Sequence, residues 1–139
     1  MRFEFWEKRL NAVVDQYSRM PFEWGRRDCV LFAADAAWCL TQKDPAAPWR
    51  RTYHDEAGAA VILFSFGGLE ALVEKTMAAA GTPVQRIEPA FGQRGDPCLF
   101  DGPRGPSLGV ILGKEFAAKN TEGLARLPIA EARIAWAIR

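Results

Sequence analysis

The chain has 139 residues, 49% of them apolar, which is enough for one compact domain with its own core and too few for a second. Eighteen lysines and arginines face 17 aspartates and glutamates, and the net charge of +1 excludes a broad field for nucleic acid or an anionic membrane. The three cysteines lack short paired spacing and fit neither a disulfide framework nor a structural zinc site, so a reducing compartment, no metal and no cofactor are expected.

The first residues interleave apolar side chains with charges and contain no signal-peptide core, so no export by that route is expected. Phe3, Trp6, Leu10, Val13, Val14 and Tyr17 recur at helical spacing and predict an amphipathic helix over 3–17, ended by the approach to Pro21. A Gly-containing turn follows. Asp28 is placed to cap a second helix over 28–40, with Cys29 in its first turn. Free N–H groups and the helix dipole at such an end favour a thiolate, so Cys29 reads as a low-pKa nucleophile; the bland alternative is a small buried apolar residue. A nucleophile needs a base, and the one histidine is His54. It is either a base relocated over Cys29 or a surface residue beside Asp55 and Glu56.

Residues 43–49 read as a loop in which Trp49, between Pro48 and Arg50, is an exposed interface anchor, while Trp24 and Trp136 are assigned to the core. The pairs Arg26-Arg27 and Arg50-Arg51 read as solvated faces rather than as an anion or partner site. Further helices are predicted over 55–66 and 69–80, separated by Gly67-Gly68. The apolar run 57–68 is too short to span a bilayer as a helix.

After Gly81 the texture changes to short β-like runs at 84–88, 98–100, 108–112, 115–119, 124–127 and 133–138, which predict an antiparallel sheet. Helices followed by strands make an α+β domain, with a helical half over 1–80 and a β half over 81–139. Gly102-Pro103-Arg104-Gly105-Pro106 reads as a hairpin tip able to dock a neighbour, with Pro103 and Arg104 as candidate contacts, and Ser107 reads as a turn hydroxyl beside it.

Three segments carry a resemblance. Pro21-Phe22-Glu23-Trp24-Gly25 followed by Asp28-Cys29 is similar to the opening motif of the NlpC-type cell-wall peptidases, compact papain-like cysteine hydrolases of bacteria and phages. Arg94-Gly95-Asp96-Pro97-Cys98-Leu99-Phe100 and Leu108-Gly109-Val110-Ile111-Leu112-Gly113 resemble two strands of that family, in the same order. The resemblance implies a papain-like fold, N-terminal helices packed on a curled antiparallel sheet, with Cys29 in the nucleophile's place. It also puts Ser107 where the family has its catalytic histidine and Ala117 where a polar residue orients that imidazole, so the cysteine survives without its partners. Val30-Leu31-Phe32 replaces the small residues that open the family's groove.

These departures resemble a divergent branch met in phage and prophage tail gene clusters. They imply a tail-tip or baseplate structural or assembly protein on a degenerate peptidase fold, binding other tail proteins and no small-molecule ligand. Such a protein is cytoplasmic during assembly and part of the virion tail afterwards. Two alternatives stay open: an active cysteine hydrolase cutting peptidoglycan with Cys29 as nucleophile and His54 as base, and an inhibitor or immunity-type protein that blocks an active relative.

Overall fold

Four helices precede six strands in the computed structural model, which describes residues 2–139. The helices are α1 (Trp6–Arg19), α2 (Cys29–Thr41), α3 (Glu56–Phe66) and α4 (Leu69–Ala79). The strands are β1 (Gln85–Ile87), β2 (Pro97–Gly102), β3 (Gly105–Ile111), β4 (Glu115–Asn120), β5 (Gly123–Pro128) and β6 (Ala132–Ala137). They form one antiparallel, unclosed sheet in the order β1-β6-β2-β3-β4-β5, which gives the expected α+β class.

The first helix begins three residues later than its apolar periodicity suggests. Phe5 adopts a left-handed φ of 62°, and Phe3 and Phe5 lie exposed ahead of Trp6, so their spacing belongs to no helix face. From Trp6 onward the pattern holds, with Leu10, Val14 and Tyr17 buried.

The sheet has two apolar faces because its strands alternate inward and outward. One face presents Leu99, Leu108, Val110, Ala117 and Trp136 to α1, α2 and α4, where they meet Leu10, Tyr17 and Phe32. The opposite face gathers Cys98, Phe100, Ile111, Phe116 and Ala118. Helix α2 is the hub: its alanines allow close packing, and its far side, through Leu31 and Ala34, joins a separate cluster with Ala46, Trp49, Tyr53 and Leu72. Helix α3 is apolar on all sides, a pattern that usually signals full burial, yet it leans on that cluster only through Ala59, Ile62, Leu63 and Phe66 and leaves Val61 and Phe64 exposed. Among the described residues no single helix is long and apolar enough to cross a membrane; α3 and α4 reach that length only together, across a 71° bend.

A buried lysine fastens the helical layer to the sheet. Lys119 on β4 donates from Nζ to the carbonyls of Tyr17 and Met20, each at 2.7 Å, and so satisfies orphan acceptors at the C-terminal end of α1 with a positive charge. Lys119→Met keeps the apolar stem and removes both bonds. It is expected to lower stability by about 1–2 kcal/mol, read as a reduced urea midpoint with an unchanged slope.

Candidate functional site

The loop before α2 is a tight turn in which Arg27 N–H donates to the Glu23 carbonyl at 2.8 Å. Its reversal needs Gly25, whose φ is 81° and where a Cβ would stand 1.9 Å from the Tyr53 carbonyl oxygen. The turn delivers Asp28, a fully buried carboxylate, to the N-cap of α2. Its Oδ1 accepts from Leu31 N–H at 2.9 Å, and its Oδ2 accepts from Gly25 N–H at 3.0 Å and from the Tyr53 hydroxyl. Most of the motif around the cysteine is therefore scaffold: Gly25 and Asp28 shape the turn, and Tyr53, which nothing in the local sequence marks, closes it from the following loop.

Cys29 is the first residue of α2 and is partly buried. The backbone amide dipoles of Leu108 on β3, of Val30 and of Cys29 itself favour the thiolate. Burial and the adjacent Asp28 carboxylate outweigh them and push the thiol up to about 11 from an ordinary 9.0. The expected low-pKa thiolate is thus corrected, because the dipole's half charge loses to desolvation plus a full neighbouring negative charge. At neutral pH only about one molecule in ten thousand carries the thiolate.

The structure does not bring the other expected residues to this sulfur. His54 is exposed on the loop before α3, and no hydrogen bond or ion pair joins it to Cys29 among the described residues. Ser107 lies within β3 opposite Phe100 rather than in a turn, which corrects that reading; pairing of β2 with β3 already starts at Gly105, two residues after Pro103. Its hydroxyl sits beside Gly102 and Phe100, on the face away from the helices, whereas Ala117 is buried on the helix-facing side. The two positions therefore do not share a face.

Trp49 is 5% exposed, which corrects its assignment as a surface anchor. The turn from Ala46, with Trp49 and Arg50 N–H both donating to the Ala46 carbonyl, folds the indole inward against Tyr53 at 6.4 Å between ring centroids. Among the described residues its Nε1 is buried without a partner. Pro103 and Arg104 do form the exposed tip between Gly102 and Gly105, where Arg104 reaches Glu56 at 3.1 Å. Trp136 is fully buried, and Trp24 packs partly buried on the Tyr53 cluster.

Cys98 is buried behind Gly109 on the far face of the sheet, where burial pushes its thiol up to about 12. Among the described residues no group of three His, Cys, Asp or Glu side chains is arranged to hold a metal ion. No curated protein and no solved structure matches the sequence. Residues 1–138 match a protein family across almost the whole chain, and the protein accordingly belongs to the family described as Domain of unknown function (DUF6950).

Proposed function

We propose that this chain is a papain-like, NlpC-type domain without hydrolase activity that serves as a structural or assembly component of a phage or phage-derived tail. The observation that carries the first part is the state of Cys29. It stands at a helix start beside β3, as a papain-like nucleophile would, but burial and Asp28 keep it protonated and His54 makes no bond to it. A thiol with no proton shuttle attacks amides poorly, whereas the surrounding turn, held by Gly25, Asp28 and Tyr53, keeps its shape without chemistry. The tail association is supported by the departures from the family at Ser107, Ala117 and Val30-Leu31-Phe32, which resemble the branch found in tail gene clusters. An exposed hairpin tip at Pro103 and Arg104 supplies one surface for a neighbouring protein.

Alkylation by iodoacetamide followed across pH, on wild type and on His54→Ala, tests the catalytic part. Cys29 is expected to react slowly at neutral pH, to accelerate only towards about 11, and to be indifferent to His54. A reactive fraction titrating near neutrality and lost with His54, or release of peptides from peptidoglycan, would sink the reading in favour of the hydrolase. Native mass spectrometry with the products of neighbouring genes tests the assembly part. Incorporation into a tail complex is expected; a one-to-one pair with an active peptidase would replace it with the inhibitor.

A further inference from the structure

Two basic pairs far apart in sequence, Arg26-Arg27 and Arg50-Arg51, meet in space. With Tyr17 and Asp35 they line a cavity of about 140 Å3 between the end of α1, the middle of α2 and the two arginine-bearing loops. That is roughly ten times the space a single water needs. The reading of these pairs as separate solvated faces does not account for their convergence.

The cavity is built rather than incidental. Arg50 is pinned on three sides: to Asp44 through Nε at 3.0 Å and Nη2 at 2.9 Å, to Asp35 through Nη2 at 2.7 Å, and over the Trp38 ring at 5.1 Å. Asp35 in turn accepts from the Tyr17 hydroxyl at 2.5 Å. Arg27 is fixed by its Nε on the Pro21 carbonyl at 3.0 Å and its Nη2 on Glu23 at 3.1 Å. Such guanidinium groups have lost their freedom before any ligand arrives.

Their hydrogen-bonding capacity is not exhausted. Each guanidinium carries five N–H donors. Among the described residues no acceptor takes the Nη1 of Arg27 or of Arg50, and Arg51 has neither an ion pair nor a side-chain hydrogen bond. Charge points the same way: around the cavity the four guanidinium groups and Lys119, which sits on the Tyr17 carbonyl, face the four carboxylates of Glu23, Asp28, Asp35 and Asp44, and Arg51 is the one left over. A cation would meet net repulsion here, and an apolar group would strip water from fixed charges without replacing its hydrogen bonds.

From these observations we infer that the cavity binds a small oxyanion, a phosphate or carboxylate group, gripped by Arg51 and Arg26 at the mouth and by the unused donors of Arg27 and Arg50 within. The inference does not depend on the state of Cys29, so it and the proposal of a silent peptidase-like domain fail separately.

Calorimetric titration of the full chain with inorganic phosphate and with succinate, at an ionic strength held constant with chloride, tests it. Saturable one-site binding of phosphate assigns the site to phosphate groups, of succinate to carboxylates, and either supports the inference; no saturation by either up to roughly 10 mM overturns it. The Arg26→Gln/Arg51→Gln double variant, which alters exposed side chains, is expected to keep its melting temperature and to bind about tenfold or more weakly. Arg104→Gln at the hairpin tip, which does not line the cavity, is expected to bind like wild type. Equal affinity in the double variant, or an equal loss in Arg104→Gln, overturns the site.

Discussion

Asp28→Ala is expected to destabilise the protein by about 3–5 kcal/mol, lowering its melting temperature by roughly 10–15 °C, and to leave the residual fold with a loosened turn ahead of α2. The carboxylate is completely buried and accepts three hydrogen bonds, from Leu31 N–H, Gly25 N–H and the Tyr53 hydroxyl. Losing the helix cap alone costs about 1 kcal/mol, and each buried donor stranded by the truncation adds about 1–3. Gly25 cannot turn elsewhere for an acceptor, because its packing against the Tyr53 carbonyl fixes the loop. Tyr53→Phe removes one donor and one bond together, and about 1–2 kcal/mol is expected. A double-mutant cycle between the two should give a coupling of about 1 kcal/mol or more, and a sum of independent effects would refute the shared network. Asp28→Asn isolates the electrostatic part: without the neighbouring negative charge the Cys29 thiol should titrate below about 11, while burial still holds it above its ordinary 9.0. An unchanged titration would mean that Asp28 plays no part in keeping the sulfur protonated.

The raised thiol pKa has a consequence for stability as well as reactivity. Because the folded state disfavours the thiolate, its contribution is complete below an unfolded value near 9.0 and is lost as pH rises through about 11. A dipole argument from sequence predicts the opposite, and the reason it fails is local. The helix start supplies amide dipoles, but the residue that caps it is itself a carboxylate one position away, and burial removes water from the thiol. The motif thus revealed where the cysteine sits, and the packing determined what it is.

The same division runs through the rest of the chain. Periodicity locates α1, the Asp28 cap locates α2, the Gly67-Gly68 break locates α4, and Gly and Pro breaks mark the six strands in order, because these signals are local to each element. Trp49 was legible only as a tryptophan between Pro48 and Arg50; a turn centred on Ala46 puts it inside, and turns of that kind leave little mark in hydropathy. Pro106 points to a turn around Ser107, whereas the actual reversal is confined to Pro103-Arg104 and pairing resumes at once at Gly105. Tyr53 carries no local signal, and the two arginine pairs are visible in the sequence but not their convergence, since both depend on loops 23 or more residues apart in sequence closing on one another. Helix α3 is the reverse case: its composition speaks for burial on every side, yet Phe64 is 88% exposed.

Asp96→Ala is expected to match the Asp28 variant in size, about 3–5 kcal/mol, through a different route. Asp96, in the Gly95-Asp96-Pro97 turn that opens β2, is fully buried and ties both ends of the chain to the sheet. It accepts from Gln93 N–H at 2.8 Å, from Ile138 N–H at 3.0 Å, from Arg2 Nη2 at 2.9 Å and from Arg139 Nη1 at 2.9 Å. Arg2 is the decisive partner. Its side chain is 9% exposed, stacks on Trp6 at 4.3 Å and already feels desolvation, which lowers its pKa despite Asp96. Removing the carboxylate leaves that buried guanidinium without a paired anion, held only by the Ile138 and Arg94 carbonyls and the field of Glu7, a far worse state than losing an exposed pair. Arg139, 44% exposed, contributes little by comparison, so Arg139→Ala should cost no more than about 1 kcal/mol. Arg2→Met, which takes away the charge that needs answering and keeps apolar bulk over Trp6, should cost clearly less than Asp96→Ala, and combining the two should recover part of the loss. Urea denaturation of the four variants reads these differences directly. If Asp96→Ala and Arg139→Ala were equally mild, the carboxylate would hold nothing in place, and β6 would owe its position to Trp136 and its pairing with β1 and β2 alone.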